Sequence, residues 1–424
     1  MRSCKKYRRF FLLLALCWAA GTFECMAQKE RPFGFNPIRK KENHSFCSFE
    51  LRANLIVVKA LIDNSDTLNF ILDSGVQSII ILDTNLRKKI KTNIGREIYI
   101  SGIGEAPPFT ALVSLGHTVK FGGIVGHNQN IVFLQEDFLN LSEYLGVPIH
   151  GILGSDVFKR FNVTINYTKG ELTFSNPDKY RYKKRKGIAL PLHLERTKPY
   201  ITVNRLESNG KTIENLKLVI DTGGAHSLLL NQESLPPEFI PEKLTDGHLG
   251  RGLNGNIAGK LGRIDLLRFG NHDFKDVIVT FPDSLVFDSK ITRDYLLRNG
   301  SIGGEILKRF MVTINYTQNL LVLKPIRKAL KEPFESDMSG MDLKATGQDF
   351  RTFEVTGVID QSVAHHAGVL PGDKIIIFNK KLAHSLTINE LYEILSKKEG
   401  YPIEMVVLRN HSLKQINFRL KRII

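Results

Sequence analysis

Two short stretches hold the residues best suited to chemistry. "FILDSGVQSIII" (70–81) and "LVIDTGGAHSLL" (218–229) are each an apolar run broken by an acid, a hydroxyl residue and a glycine. The acids, Asp73 and Asp221, lie 148 positions apart. One D-[ST]-G triplet arises by chance in roughly one chain in five of this length. Alone it reads as an ordinary turn, since Asp, Ser and Gly all favour turns. Two copies, each ending an apolar run, ask for more. Two carboxyls held close together cannot both ionise cheaply, so they share a proton near neutral pH. One is then a base and the other an acid around a single water. The base takes a proton from the water, which attacks a peptide carbonyl, while the acid protonates the carbonyl oxygen. Such a pair titrates as a unit. Ser74 and Thr222 supply hydroxyls able to bond across to the opposite loop. Gly75 and Gly223 let the backbone turn sharply beneath the acids.

The elements that must position these acids are also written twice. "HGILGSDVFKRFNVTINYT" (150–168) returns as "GSIGGEILKRFMVTINYT" (300–317). From Lys159 to Thr168 and from Lys308 to Thr317, only Asn162 against Met311 differs. Phe161 and Phe310 stand 149 positions apart, almost the offset of the acids, so a whole domain is duplicated. Strand-like runs rich in Val, Ile, Thr and Phe fill both copies. The first has "FELRANLIVVKALI", "TLNFILD", "REIYISG" and "NVTINYTKGELTF". The second has "YITVNRLE", "NLKLVID", "DVIVTF" and "MVTINYTQNLLVLK". A short helix is expected at 156–160 and at 305–309, with Asp156 and Glu305 as caps or dipole partners.

Four segments follow: a leader at 1–27, β lobes at 45–178 and 188–327, and an α+β module at 337–424. The basic run "KYRYKKRKG" (179–187) links the lobes, and "RKALKEPFESDMSG" begins the second linker. In the module, Ile388, Leu391, Ile394 and Leu395 recur at helical spacing behind Thr387, a candidate N-cap. The fold expected is mainly β, with a smaller α+β module at the end.

The paired D-[ST]-G loops resemble the signatures of aspartic peptidases. So do the apolar segments "GILG" (151–154) and "SIGG" (301–304), which hold Ile152, Leu153, Gly154, Ile302 and Gly303. That family includes two-lobed pepsins and half-sized retroviral peptidases that dimerise. The resemblance implies two retropepsin-like β-barrel lobes in a bilobal unit, with Asp73 and Asp221 as the catalytic dyad. It also implies a cleft between the lobes that binds an extended polypeptide substrate. "ISGIGE" (100–105) looks like a retroviral flap tip, making Gly102, Ile103 and Gly104 the flap candidates. Val76 and Gly224, three residues after the acids, are nearer the retroviral pattern than the pepsin one. No flap tyrosine is located; Tyr99 reads equally well as a strand residue. "GHLGRGLNGNIAG" (247–259) reads as a second mobile loop.

"SVAHHAGVLPGDKIIIFN" (362–379) resembles a PDZ domain of exported bacterial proteases. The resemblance implies a peptide C-terminus held by the N–H groups of Met341, Asp342 and Leu343, in a groove near Leu391. The opposing reading is a degenerate module that only packs on the lobes.

Composition sets the address. The chain has 424 residues with a formal net charge of +16. Basic "MRSCKKYRRF", then a short apolar run and Cys25-Met26-Ala27, reads as a secretory signal peptide. Its removal would leave about +12, since residues 1–27 hold five basic side chains and one acid. It would also leave Cys47 as the lone cysteine, so no intramolecular disulfide forms. The expected location is the periplasm or cell envelope, or secretion. No cofactor and no metal are expected, since His365-His366 lacks further donors at ligand spacing. The basic linker is compatible with weak association with an anionic membrane surface or with plain solvation; no nucleic-acid motif accompanies it. Three readings stay open: an exported aspartic endopeptidase, a non-catalytic peptide-binding envelope protein that keeps the cleft, and a membrane-surface adaptor.

Overall fold

Strand sequences here alternate or run apolar according to how many of their faces are covered. The stretch "HSFCSFELR" buries Ser45, Cys47 and Phe49 on one face and shows the residues between them to solvent. "LIVVKALI" is buried nearly throughout, as a strand covered on both faces must be. The sequence reads "FELRANLIVVKALI" as one run, but the chain breaks it at Ala53-Asn54. Both residues take left-handed backbone angles, φ 44° and 67°, in a tight hairpin turn.

The computed structural model describes residues 34–39, 43–100, 102, 104–105, 107–283 and 299–424. The expected leader at 1–27 and the flap candidate Ile103 lie outside them.

The first half holds β1 (Gly34–Pro37), β2 (His44–Arg52), β3 (Leu55–Ile62), β4 (Leu68–Leu72), β5 (Ile79–Ile81) and helix α1 (Leu86–Lys89). It continues through β6 (Ile94–Ile100), β7 (Phe109–Phe121), β8 (Ile124–Leu134), α2 (Leu141–Leu145), β9 (Gly151–Leu153), α3 (Asp156–Arg160), β10 (Asn162–Asn166) and β11 (Glu171–Ser175). The second half holds β12 (Ile188–Pro191), β13 (His193–Glu195), β14 (Lys198–Ser208), β15 (Lys211–Ile220) and β16 (Leu228–Leu230). It continues through β17 (Thr245–Gly252), β18 (Gly255–Phe269), β19 (His272–Pro282), β20 (Gly300–Ile302), α4 (Gly304–Leu307), β21 (Phe310–Asn315) and β22 (Leu320–Pro325). The last segment holds β23 (Met341–Thr346), β24 (Thr352–Val358), α5 (Val363–His366), β25 (Lys374–Phe378), β26 (Lys381–Leu382), α6 (Ile388–Leu395), β27 (Pro402–Arg409) and β28 (Ser412–Arg419).

The fold is mainly β. Among the described residues the strands form three sheets. One runs β12-β22-β21-β10-β11-β2-β3-β4-β9-β5-β8-β7-β6, with β1 on β8. The second runs β13-β14-β15-β20-β16-β19-β18-β17. The third, β23-β24-β25-β27-β28 with β26 on β25, surrounds its own core of Met341, Leu343, Phe353, Leu391 and Leu395. Thr387 caps α6 with a reciprocal Thr387–Glu390 capping box.

One pairing pattern occurs in both halves. In the first, β4 pairs parallel with β9, which pairs antiparallel with β5, which pairs parallel with β8. In the second, β15, β20, β16 and β19 do the same. The halves join where β10 runs antiparallel to β21. There Thr164 faces its counterpart Thr313, with the hydroxyls 2.9 Å apart.

The helix expected at 305–309 occupies Gly304–Leu307, one residue earlier and shorter. Asp156 and Glu305 sit in first helical turns, though neither is an N-cap. Glu305 binds Arg309, whose guanidinium is fully buried and also donates to the carbonyls of Ala329, Glu332 and Pro333. The second linker is therefore stapled to the second half. Arg309→Met should lower stability by on the order of 3 kcal/mol, because it strips Glu305 of a buried partner. The urea midpoint should fall at unchanged m-value. Among the described residues no helix is long and apolar enough to cross a membrane.

Candidate functional site

The two acids end two strands that are wedged alike. Asp73 N–H donates to Leu153 O and Asp221 N–H to Ile302 O, both at 2.9 Å. One turn below, Asn69 N–H donates to His150 Nδ1 at 3.0 Å and Lys217 N–H to Asn299 Oδ1 at 2.9 Å. Different side chains thus fill the same seat. Ile152, Leu153 and Ile302 are buried beneath the acids. Gly154 and Gly303 are needed because other backbone lies against them. A Cβ on Gly154 would stand 2.6 Å from Ser78 O, and one on Gly303 would stand 2.3 Å from His226 O.

The hydroxyl neighbours lock the loops to each other. Ser74 N–H donates to Thr222 Oγ1 at 2.9 Å, and Thr222 N–H donates to Ser74 Oγ at 3.1 Å. Each hydroxyl then donates across the junction, Ser74 Oγ to Ile220 O at 2.7 Å and Thr222 Oγ1 to Leu72 O at 2.9 Å. All four bonds are buried, with Ser74 0% and Thr222 1% exposed. The pattern is unchanged when the two loops are exchanged.

This lock brings the carboxyls together. Gly75 N–H donates to Asp73 Oδ1 at 2.6 Å, and Gly223 N–H donates to Asp221 Oδ1 at 3.0 Å. A Cβ on Gly75 would stand 3.1 Å from Asp73 Oδ1 and 3.4 Å from Asp221 Oδ1. One on Gly223 would stand 2.2 Å from Asp73 Cγ, so only glycine fits there. Burial, and next the charge of Asp221, push the Asp73 carboxyl up to about 7. The N–H groups of Gly75 and Val76 and the ammonium of Lys198 oppose that rise. Two carboxyls this close hold one proton between them and titrate as a unit. Such a pair can take a proton from a water and give one to a carbonyl oxygen.

Beside the acids lies a cleft of about 580 Å³. The loop Gly75–Ser78 and the strand ends Ile98–Ile100 line one side, and Arg196, Lys198 and Tyr200 line the other. The β6–β7 and β17–β18 hairpins meet above it. Gly102 N–H donates to Asn254 Oδ1 at 2.5 Å, Asn254 Nδ2 donates to Pro107 O at 2.8 Å, and Glu105 N–H donates to Asn256 O at 3.0 Å. Gly104 presses on the Asn254 backbone, with its φ at 146°. The expected second mobile loop, 247–259, is the tip of the β17–β18 hairpin and clasps the first. Tyr99 lines the cleft rim and is 81% exposed. The turns Ala53-Asn54 and Arg196-Thr197 cross the junction in matching fashion. Asn54 Nδ2 donates to Ala225 O at 3.0 Å, and Gln77 Nε2 donates to Arg196 O at 2.6 Å.

A second constellation looks chemical. His117 stands 2.7 Å from both Ser114 Oγ and Asp63 Oδ2. Ser114 is fully buried and accepts Asn93 N–H, so no substrate reaches it; the group pins a bend in β7. Burial pushes the Cys47 thiol up to about 12, which keeps it protonated. Among the described residues no group of three or more His, Cys, Asp or Glu is placed to hold a metal.

In the third sheet, Met341, Leu343 and Leu391 turn their side chains into the core, and Asp342 is half-buried. Met341 N–H donates to Ser339 Oγ and Leu343 N–H to Tyr392 OH. The sequence reading passed over Asn254, Lys198 and Tyr392. Only the glycines around Asn254 offered a cue, as a turn signal.

Residues 58–157 match a family model described as aspartyl protease. The match takes in Asp73-Ser74-Gly75, the β6–β7 hairpin and the Gly151–Gly154 segment. The chain is also 26% identical over 133 residues to the carboxy-terminal processing protease CtpB of Bacillus subtilis (strain 168). That alignment covers 31% of this chain and 26% of CtpB, so it spans about a quarter of that relative's length. The family match over the first half points to a protease.

Proposed function

We propose that the protein is an exported aspartic endopeptidase whose dyad is Asp73 and Asp221. In this reading the lobes at 45–178 and 188–327 are duplicated retropepsin-like barrels. The segment 337–424 is a PDZ-like domain. The observation that carries the proposal is the reciprocal Ser74–Thr222 lock, which sets two D-[ST]-G acids side by side, next to a cleft lined by Gly75–Ser78. The aspartyl-protease match over the first half supports it.

The mechanism follows from one proton shared by two acids. A water between the carboxyls loses a proton to the ionised member of the pair and attacks the peptide carbonyl carbon, while the protonated member gives its proton to the carbonyl oxygen. The tetrahedral intermediate then collapses, the C–N bond breaks, and the leaving nitrogen takes a proton from the dyad. The clasped hairpins lie over the substrate and exclude water. A substrate chain between the hairpins and the acids runs extended along the strand ends Ile98–Ile100 and Lys198–Tyr200 that line part of the cleft.

The test is cleavage of a denatured protein digest from about pH 3 to 8, read by mass spectrometry beside Asp221→Asn. New termini should vanish in the variant. Activity should fall as pH rises through about 7, where the pair loses its shared proton. Intact folding and peptide binding without cleavage at any pH would favour the non-catalytic binding protein.

A further inference from the structure

The third sheet leaves one strand edge, that of β23, facing α6, and the chain itself fills the gap. Tyr392 OH accepts Leu343 N–H at 2.9 Å and lies 3.5 Å from Leu343 O. At the head of β23, the Asp337 carboxylate accepts Ser339 N–H at 3.1 Å, Ser339 Oγ–H at 2.6 Å and Gly340 N–H at 2.6 Å. Ser339 Oγ in turn accepts Met341 N–H at 3.1 Å. These are the groups an added peptide strand would need.

A piece of the first half covers the same place. Helix α2 packs on β23 and α6. A Cβ on Gly146, which ends α2, would stand 2.8 Å from Ile388 Cγ2 and 3.7 Å from Ala345 Cβ. Tyr144 of α2 is half-buried and packs on the Leu139–Leu145 cluster; burial, and next the charge of Asp342, raise its hydroxyl pKa.

The chain around α2 also grips both hairpins. Phe138 packs on Phe109 at the foot of β7, with ring centres 4.9 Å apart. Arg251 of β17 donates to Leu139 O at 3.4 Å. Leu139, Leu141 and Leu145 are buried in one cluster with Ala111 and Val113, against which Ile98, Ile100 and Leu253 pack. Ile359, just past β24, comes near the second hairpin: a Cβ on Gly247 of β17 would stand 3.9 Å from Ile359 Cδ1. The C-terminal segment therefore lies beside the second hairpin, where Arg263 Nε of β18 donates to Ile424 O at 3.2 Å, and reaches the first through α2.

We infer that the C-terminal module is a brace: its β23–α6 face, closed by the chain's own groups, holds α2 and thereby positions the two hairpins over the acids. Tyr144 is a positioning residue in this scheme, remote from the reacting atoms. The kinetic consequence rests on the peptidase reading, whereas the structural one does not. Hairpins that close over a cleft act on substrate capture first, so loosening them raises KM more than it lowers kcat.

The experiment compares the full-length protein with Tyr144→Ala by amide hydrogen exchange and by kinetics on a peptide chosen from the digest. Exchange in 94–115 and 245–262 should quicken roughly 5–30-fold, with 402–419 unchanged and KM raised more than kcat is lowered. Unchanged exchange in both hairpins overturns the brace. If 402–419 also quickens, Tyr144→Phe is read instead: loosened hairpins with an intact third sheet support the brace, and unchanged hairpins overturn it. Loosened hairpins in a protein that cleaves nothing would keep the brace and sink the peptidase reading.

Discussion

Asp73→Asn should cut turnover by about 10²–10⁴-fold, and at pH 8 should leave the protein more stable than it was. The first effect is the loss of one member of the proton-sharing pair. The second follows from linkage. The folded-state pKa of Asp73 is raised from 3.8 to about 7, mainly by burial and then by Asp221. The folded protein thus holds this proton more tightly than the unfolded chain does. The stability this group adds is fully present below the unfolded value near pH 4. It falls as pH rises between about 4 and 7, and above 7 the cost of a buried carboxylate is complete. About three pH units at 1.36 kcal/mol each set a ceiling of about 4 kcal/mol. The realised gain should be smaller, because an amide must also be satisfied; its oxygen can keep the bond from Gly75 N–H. Urea melts at pH 4 and pH 8 decide the matter. The variant and the parent should nearly coincide at pH 4 and separate at pH 8, with the inactive variant the firmer. A variant weaker than its parent at pH 8 would mean that the buried carboxylate is solvated well enough to be stabilising, and the shared-proton account would go with it.

That the cost sits at this position was legible before any coordinates, for a physical reason. An acid, a hydroxyl and a glycine in consecutive positions are each conspicuous after an apolar run, and their recurrence at nearly constant offset marks a repeated backbone. The repeat from Lys159 and from Lys308 marks a duplication but does not say that the two copies pair with each other as β10 and β21, where Thr164 meets Thr313. Thr387 is readable as an N-cap ahead of α6, and the chain uses it so, with Glu390 completing the box. Side chains that act through distant partners gave no such signal. Nothing near Asn54 says that its amide will reach Ala225 O and Glu305 Oε2, 171 and 251 positions away. Left-handed turns at Ala53-Asn54 and Arg196-Thr197 carry no glycine or proline to mark them. The α2 stretch "LSEYL" is too short to show a period, and its role comes from what packs on it. The peptide-binding N–H groups expected at Met341–Leu343 depend on side chains at Ser339 and Tyr392, the second of them 49 positions from its partner.

Thr222→Val should be the most damaging single change to the lock. It is near-isosteric, so packing is kept and two buried hydrogen bonds go. Ser74 N–H loses its acceptor and Leu72 O loses a donor, in a place water does not enter. A buried polar group left unsatisfied costs about 1–3 kcal/mol, so the urea midpoint should drop by the equivalent of about 2–5 kcal/mol. The loss in kcat/KM should be larger than stability alone explains, since displacing a reacting group by about 1 Å can cost about 10²-fold. Thr222→Ser keeps the hydroxyl and should restore most of both quantities. If Ser fails as Val does, the methyl group rather than the hydroxyl holds the loops, and the lock is a packing contact. The mirrored change, Ser74→Ala, removes the acceptor for Thr222 N–H and the donor to Ile220 O. The two hydroxyls stand 3.4 Å apart, so the lesions should not add. Once either loop is released, the other has nothing left to hold, and the double variant should be little worse than the poorer single one. Additive losses would instead mean that each loop is held by its own lobe, and that the acids face each other without the lock's help.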